Sequence, residues 1–184
     1  EQSMIGIAAG LALEGYRPFC YTIATFALYR PFEMIRVDLA YQNLPVTVVG
    51  MGAGIIYSTL GSTHHSMEDI SVASAIPNMG VLCPSDPLEM KKATRWCAKK
   101  SKGPVYMRLG KAGEPILTKN SQDNFTIDKI RCVEKGKGNS YAILTYGTSL
   151  KLALELSTKM KKDKNYFLVF HLKKLNSCKN IYHW

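Results

Sequence analysis

Residues 1–15 read Glu1-Gln2-Ser3-Met4-Ile5-Gly6-Ile7-Ala8-Ala9-Gly10-Leu11-Ala12-Leu13-Glu14-Gly15. After the opening acid comes a helix of small residues, in which Gly6, Ala8, Ala9, Gly10 and Ala12 let a neighbouring backbone approach closely, and Gly15 supplies the C-terminal stop. Such a helix packs tightly and holds its first carboxylate in place. An acid at a helix start ordinarily complements the dipole or caps the first turn, so Glu1 alone has two readings, cap or functional carboxylate. A second stretch, Gly61-Ser62-Thr63-His64-His65, weighs on that choice. Two adjacent histidines in a Gly/Ser/Thr loop, just before an acidic helix turn, are hard to explain by packing.

Outward from this opening, periodicity alternates between strand and helix. Residues 17–23 read as a buried strand opened by Pro18, and Phe32, Ile35 and Leu39 set a helical spacing over 32–41. Residues 45–50 form the next strand. The Gly-rich polar loop 51–65 is too long to be only a connector. A helix is expected over 66–75, where Glu68 and Asp69 read as helix-start residues, and a short strand at 81–82 ended by Pro84. Ser85-Asp86-Pro87 is a polar cap followed by an early proline, opening a helix that runs to Lys100. Residues 104–109 are a strand.

Strands separated by helices of this length predict an α/β fold, a mostly parallel sheet with helices on both faces. Sites in such sheets lie in the loops at the carboxyl ends of the strands. Residues 110–139 are polar, with little periodicity, and read as a linker; a second α/β unit starts at 140, with a strand at 141–146, an amphipathic helix at 149–161 and an apolar run at 167–170. The expected organisation is therefore a first domain over 1–109, the linker 110–139 and part of a second domain over 140–184. Beginning at Glu1 with no preceding cap or strand reads as a fragment, as does a second unit that the tail cannot complete.

At 184 residues and 46% apolar the chain can build one sizeable core. It has no run long and apolar enough for a membrane span and no signal-peptide pattern at its start, so a cytoplasmic protein is expected. The five cysteines, Cys20, Cys83, Cys97, Cys132 and Cys178, are odd in number and lack Cys-x-x-Cys spacing, which argues for buried thiols over a disulfide framework or metal site. The net charge of +10 comes wholly from the second half, since residues 1–90 hold three basic and eight acidic side chains. The lysines are scattered over a helix, a linker and a tail with few aromatics between them. This describes a solvated surface, with no specific nucleic-acid partner.

Taken together, the segments 1–15, 18–36, 61–69, 76–86 and 103–110 resemble the pyrimidine domain of the transketolase family of thiamine-diphosphate enzymes, and the chain as a whole resembles a transketolase C-terminal half of the kind some organisms encode separately. The resemblance implies a transferase of carbohydrate metabolism that moves a two-carbon ketol unit between sugar phosphates. It implies that Glu1 matches the glutamate that hydrogen-bonds a ring nitrogen of the cofactor's aminopyrimidine, a task that needs a carboxyl group in a dry pocket where it can share a proton with the ring. Phe26 and Tyr29 match aromatic positions against that ring. His64 matches the histidine of the family's Gly-Pro-Thr-His motif facing the ketose, with His65 beside it, and Lys111 lies near an arginine that grips the sugar phosphate in relatives.

Departures from the family pattern are equally specific. The Gly-Glu-Asp-Gly run of many transketolases is here Ser58-Thr59-Leu60-Gly61, without the acid that would recognise a sugar hydroxyl, and Gly52 falls near a position where some relatives carry another histidine. The Gly-Asp-Gly and Asn motif that holds Mg²⁺ and the diphosphate does not occur. The resemblance therefore implies a partner, an N-terminal transketolase half or subunit carrying that motif and most of the Mg²⁺ site, with dimerisation of such pairs. Two alternatives stay open on the sequence: a catalytically silent assembly module, and the beta subunit of a 2-oxo-acid dehydrogenase's first component.

Overall fold

The computed structural model describes residues 1–117, 126–134, 141–162 and 167–172. Cys178, Gly136, Gly138 and the tail from 173 onward lie outside the described residues. The opening helix α1 (Gln2–Leu13) buries Ile5, Ala8, Ala9 and Ala12, one face at helical spacing, and Gly15 ends it at φ +90°. The close approach expected of its small residues occurs at Gly6, where an added Cβ would sit 3.3 Å from the Met34 side chain; Gly10 has open space around it. The opposite face leaves Ile7, Leu11 and Leu13 exposed.

Strands β1 (Phe19–Ile23), β2 (Thr47–Met51), β3 (Gly80–Leu82) and β4 (Val105–Arg108) form an all-parallel sheet in the order β1-β2-β4-β3. Alternation along the strands divides the core in two. Cys20, Val48, Val81 and Tyr106 face α1 and the helices packed beside it, whereas Val49, Leu82, Val105 and Met107 face Ala93 and Cys97 of α5 (Pro87–Lys100). Helices thus cover both faces, as the sequence pattern predicts. Capping of α5 also follows expectation: Asp86 Oδ1 accepts from the Glu89 amide at 2.8 Å, and Pro87 occupies the first turn.

Three elements depart from the sequence reading. A five-residue helix, α2 (Ala24–Leu28), follows β1 directly and buries Ala24, Thr25, Ala27 and Leu28; it is too short to show a period. The helix expected over 32–41 is one α-turn, α3 (Phe32–Met34), widening into a π-helical segment (Ile35–Tyr41) that still buries Ile35 and Leu39. The helix expected over 66–75 starts later, as α4 (Asp69–Ala75), because Ser66 is drawn into a bridge with Gly54, N···O 2.9 and 3.2 Å.

A second sheet, in the order β5-β7-β6, contains β5 (Arg131–Glu134), β6 (Tyr141–Tyr146) and β7 (Phe167–Leu172). β6 and β7 are parallel and connected through α6 (Ser149–Lys162), which buries Leu150 and Ala153 against Val169. β5 lies inside the stretch 110–139 that reads as a linker, and pairs antiparallel to β7. Its four residues Arg-Cys-Val-Glu give no alternation long enough to register as a strand. Three cysteines are buried thiols as expected: burial pushes Cys20 and Cys97 up to about 11 and Cys83 up to about 12, while Cys132 is exposed. Among the described residues no helix is long and apolar enough to cross a membrane.

Candidate functional site

The expected site residues lie on elements next to the carboxyl ends of the parallel strands and at the start of α1. Glu1 occupies the N-cap position of α1, yet its side chain makes no capping hydrogen bond. Its carboxylate instead takes Arg30, with Nη1 3.2 Å from Oε2. The Arg30 guanidinium lies over the Phe26 ring, 4.1 Å from carbon to centroid. Phe26 stands on α2 immediately after β1, and its ring meets His64 edge-on at 5.2 Å. His64 in turn meets Tyr57 at 6.2 Å, and Lys111 Nζ lies 5.4 Å over the Tyr57 ring. A continuous line of side chains thus runs from Glu1 through Arg30, Phe26, His64 and Tyr57 to Lys111.

The loop that carries His64 is pinned at several points. Gly52 and Ala53 donate to the carbonyls of Gly110 and Leu109 at 2.9 and 3.0 Å, and the Thr25 hydroxyl donates to the Thr63 carbonyl at 3.0 Å. The Thr63 hydroxyl lies 2.9 Å from His64 Nδ1, which leaves Nε2 as the ring nitrogen free to meet a ligand. Gly52 has φ +68°, and a Cβ there would collide with the Tyr57 ring. Tyr57 therefore fills the space at the position where some relatives of the sequence pattern carry a histidine.

Two expected contacts are placed differently. The Tyr29 hydroxyl donates to Glu68 Oε2 at 3.1 Å, and burial, then that bond and the neighbouring acids, raise its pKa well above the ordinary phenol value. Tyr29 is thereby tied to the start of α4 and not to Phe26. His65 stands apart from the line of contacts, its Nε2 buried and without a hydrogen-bond partner.

Behind the loop lies a network that the sequence reading missed. Asp69, 0% exposed, accepts from the Tyr106 hydroxyl at 2.9 Å, from Arg108 Nε at 2.8 and 3.1 Å and from the Ile70 amide at 2.9 Å. Burial works against the Arg108 charge, but the Asp69 carboxylate outweighs it and raises the guanidinium pKa; burial and then Asp69 raise the Tyr106 phenol well above its usual value. An added Cβ on Gly54 would lie 3.3 Å from Arg108 Nη2, so this ion pair braces the loop bearing His64. An acid at the first turn of a helix gives no local sign of a partner 39 residues away.

The donor set suits the ring end of a thiamine cofactor. A carboxylate at a helix start and an aromatic face already hold one flat, edge-donating group, the Arg30 guanidinium, and a shallow pocket is lined by Glu1, Gln2, Ser3 and Arg30. The diphosphate end finds no comparable set: among the described residues no group of three His, Cys, Asp or Glu could hold a metal ion. A larger cavity of about 310 Å³ lies elsewhere, lined by Tyr21, Met51, Met90, Leu109 and Glu114, and takes only Lys111 from the expected site residues.

Comparison with known proteins bears on this geometry. The family described as transketolase, pyrimidine binding domain, matches residues 1–113. One of the two subunits of an apulose-4-phosphate transketolase of Phocaeicola vulgatus is 35% identical over 136 residues, covering 74% of this chain and 43% of that protein. A 1-deoxy-D-xylulose-5-phosphate synthase of Alkaliphilus oremlandii is 34% identical, over 89% of this chain and 26% of that one. Among solved structures, a split-gene transketolase described as an inactive beta4 tetramer superposes with a TM-score of 0.82 at 31% identity, over 93% of this chain and 53% of that one. The chain spans about half the length of the curated relatives it matches.

Proposed function

The chain belongs to the transketolase pyrimidine-binding domain family, and on that premise we propose that it supplies the pyrimidine side of a thiamine-diphosphate site in a transketolase-like enzyme. The reaction is transfer of a two-carbon ketol unit between sugar phosphates. One observation supports this reading above the others: the carboxylate of Glu1 is free of capping duty and, through a flat cation, shares a surface with Phe26 and His64. Thiamine diphosphate, when bound, supplies the acidic carbon and electron sink that the ketol transfer requires.

Within that site Glu1 holds or gives up a proton at the pyrimidine nitrogen, and Phe26 offers its face to the ring. His64 presents Nε2 for proton exchange with substrate hydroxyls, and Lys111 offers a point charge to a sugar phosphate. Residues 1–109 form the pyrimidine domain in this reading, 110–139 join it to the part of a second domain over 140–184, and the diphosphate and Mg²⁺ are held by a partner half. The related split-gene transketolase beta assembly, described as inactive, is consistent with that partner dependence. Titration of this chain alone with thiamine diphosphate and Mg²⁺ is expected to show no binding tighter than roughly millimolar, about −4 kcal/mol. Micromolar binding by the chain alone overturns the division of labour.

The histidine pair separates substrate contact from loop structure. In the partnered enzyme, His64→Ala is expected to lower kcat/KM roughly 100-fold, at the lower end of the usual range for a general acid–base group, with cofactor affinity nearly unchanged. His65→Ala acts more weakly, through loop position. Kinetics and thermal unfolding on both variants decide the matter, and equal activity per folded molecule removes His64 from the site.

A further inference from the structure

Arg30 is the one member of the site line to which neither the sequence pattern nor the proposed mechanism gives a task. It lies just beyond α2, whose C-cap is Tyr29, and its side chain is 58% exposed. Its described contacts are two. One edge of the guanidinium meets Glu1 Oε2 at 3.2 Å, and its face covers the Phe26 ring at 4.1 Å. A guanidinium is planar and delocalised, with N–H donors around its rim. Those are also the recognition features of a protonated aminopyrimidine: a flat face for an aromatic ring and an edge donor for a carboxylate.

Resting on the reading of Glu1 and Phe26 given above, we propose that Arg30 is a displaceable placeholder that occupies the aminopyrimidine position in the cofactor-free chain. It keeps the Glu1 carboxylate turned toward the Phe26 face and shields that face until a ring arrives. Both contacts are of a kind that is weak at exposed positions, an exposed ion pair and an exposed cation–π contact, so a better-fitting ring held also by a diphosphate site can expel it. A chain without its diphosphate-binding partner would stay closed, because the ring alone must compete with an arginine tethered at high effective concentration. Thiamine diphosphate anchored by the partner gains the advantage that a free ring lacks.

The test is an equilibrium one, made on the full chain by NMR amide chemical-shift titration with the free pyrimidine alcohol of thiamine. Arg30→Ala is expected to bind this probe roughly tenfold more tightly than the unaltered chain, the scale of losing two weak exposed contacts, with shifts at residues 1–3 and 25–27. Methylguanidinium should compete with the probe in Arg30→Ala and leave the same amides of the unaltered chain in place. Arg30→Met, which keeps much of the aliphatic stem, carries the same expectation should alanine impair folding. Equal or weaker binding by the variants, with shifts still at Glu1 and Phe26, overturns the placeholder and leaves the cofactor reading standing. Absence of shifts at those residues in every variant, up to the probe's solubility, overturns the cofactor reading itself.

Discussion

Glu1→Gln is expected to lower turnover of the partnered enzyme about 100-fold or more, the scale of losing a general acid–base group, or roughly 2.7 kcal/mol at 1.36 kcal/mol per factor of ten. Glutamine matches the size of the side chain and can still accept from Arg30, but it cannot hold or release a proton. The structure sharpens the expectation, because Glu1 sits at the N-cap of α1 without any side-chain capping bond. Its loss therefore removes no helix cap, and the exposed pair with Arg30 contributes at most about 1 kcal/mol to stability. Steady-state turnover and thermal unfolding of the same variant separate the two roles. Unchanged turnover with a lowered melting temperature would return Glu1 to the ordinary business of helix ends.

The fold was legible where burial leaves a period in the sequence. Val46-Thr47-Val48-Val49 could only be an inner strand, and β2 is the central strand between β1 and β4. Asp86-Pro87 announced α5 through local chemistry alone. What escaped notice was either too short to carry a period, as with α2 and β5, or set by partners distant in the chain. Glu1 and Phe26 were recognisable singly, whereas Arg30 gains meaning only once the backbone brings it to both. Tyr29 illustrates the same limit from the other side: an aromatic three residues after Phe26 promises a shared stack, but the turn of α2 sends its hydroxyl to Glu68. The histidine pair reads as one feature in the sequence, and the structure separates it, with His64 in the line of contacts and His65 turned into a buried environment.

Asp69→Ala should be among the most destabilising single changes in the chain, by about 3–5 kcal/mol, the cost of leaving a buried ionic partner uncompensated. Three donors converge on this carboxylate from the Tyr106 phenol, the Arg108 guanidinium and the Ile70 amide, and none of its surface reaches solvent. Removing it strands a cation whose side chain is 17% exposed and a phenol with no exposure at all. Against a typical domain stability of about 5–15 kcal/mol such a loss threatens the native state itself. If charge burial is the cause, Arg108→Met in the Asp69→Ala background should recover about half of the loss, because the unpaired guanidinium goes with it. Denaturant unfolding midpoints of the two single variants and the double variant supply the cycle. A loss below about 1 kcal/mol in Asp69→Ala is what a simple helix-start acid would give, and it would refute the bracing role. The network also predicts where the damage spreads: Arg108 reaches Gly54 in the loop that carries His64, so any folded Asp69→Ala protein should lose substrate turnover through His64 before it loses the Glu1 and Phe26 surface, which no part of the Asp69 network touches.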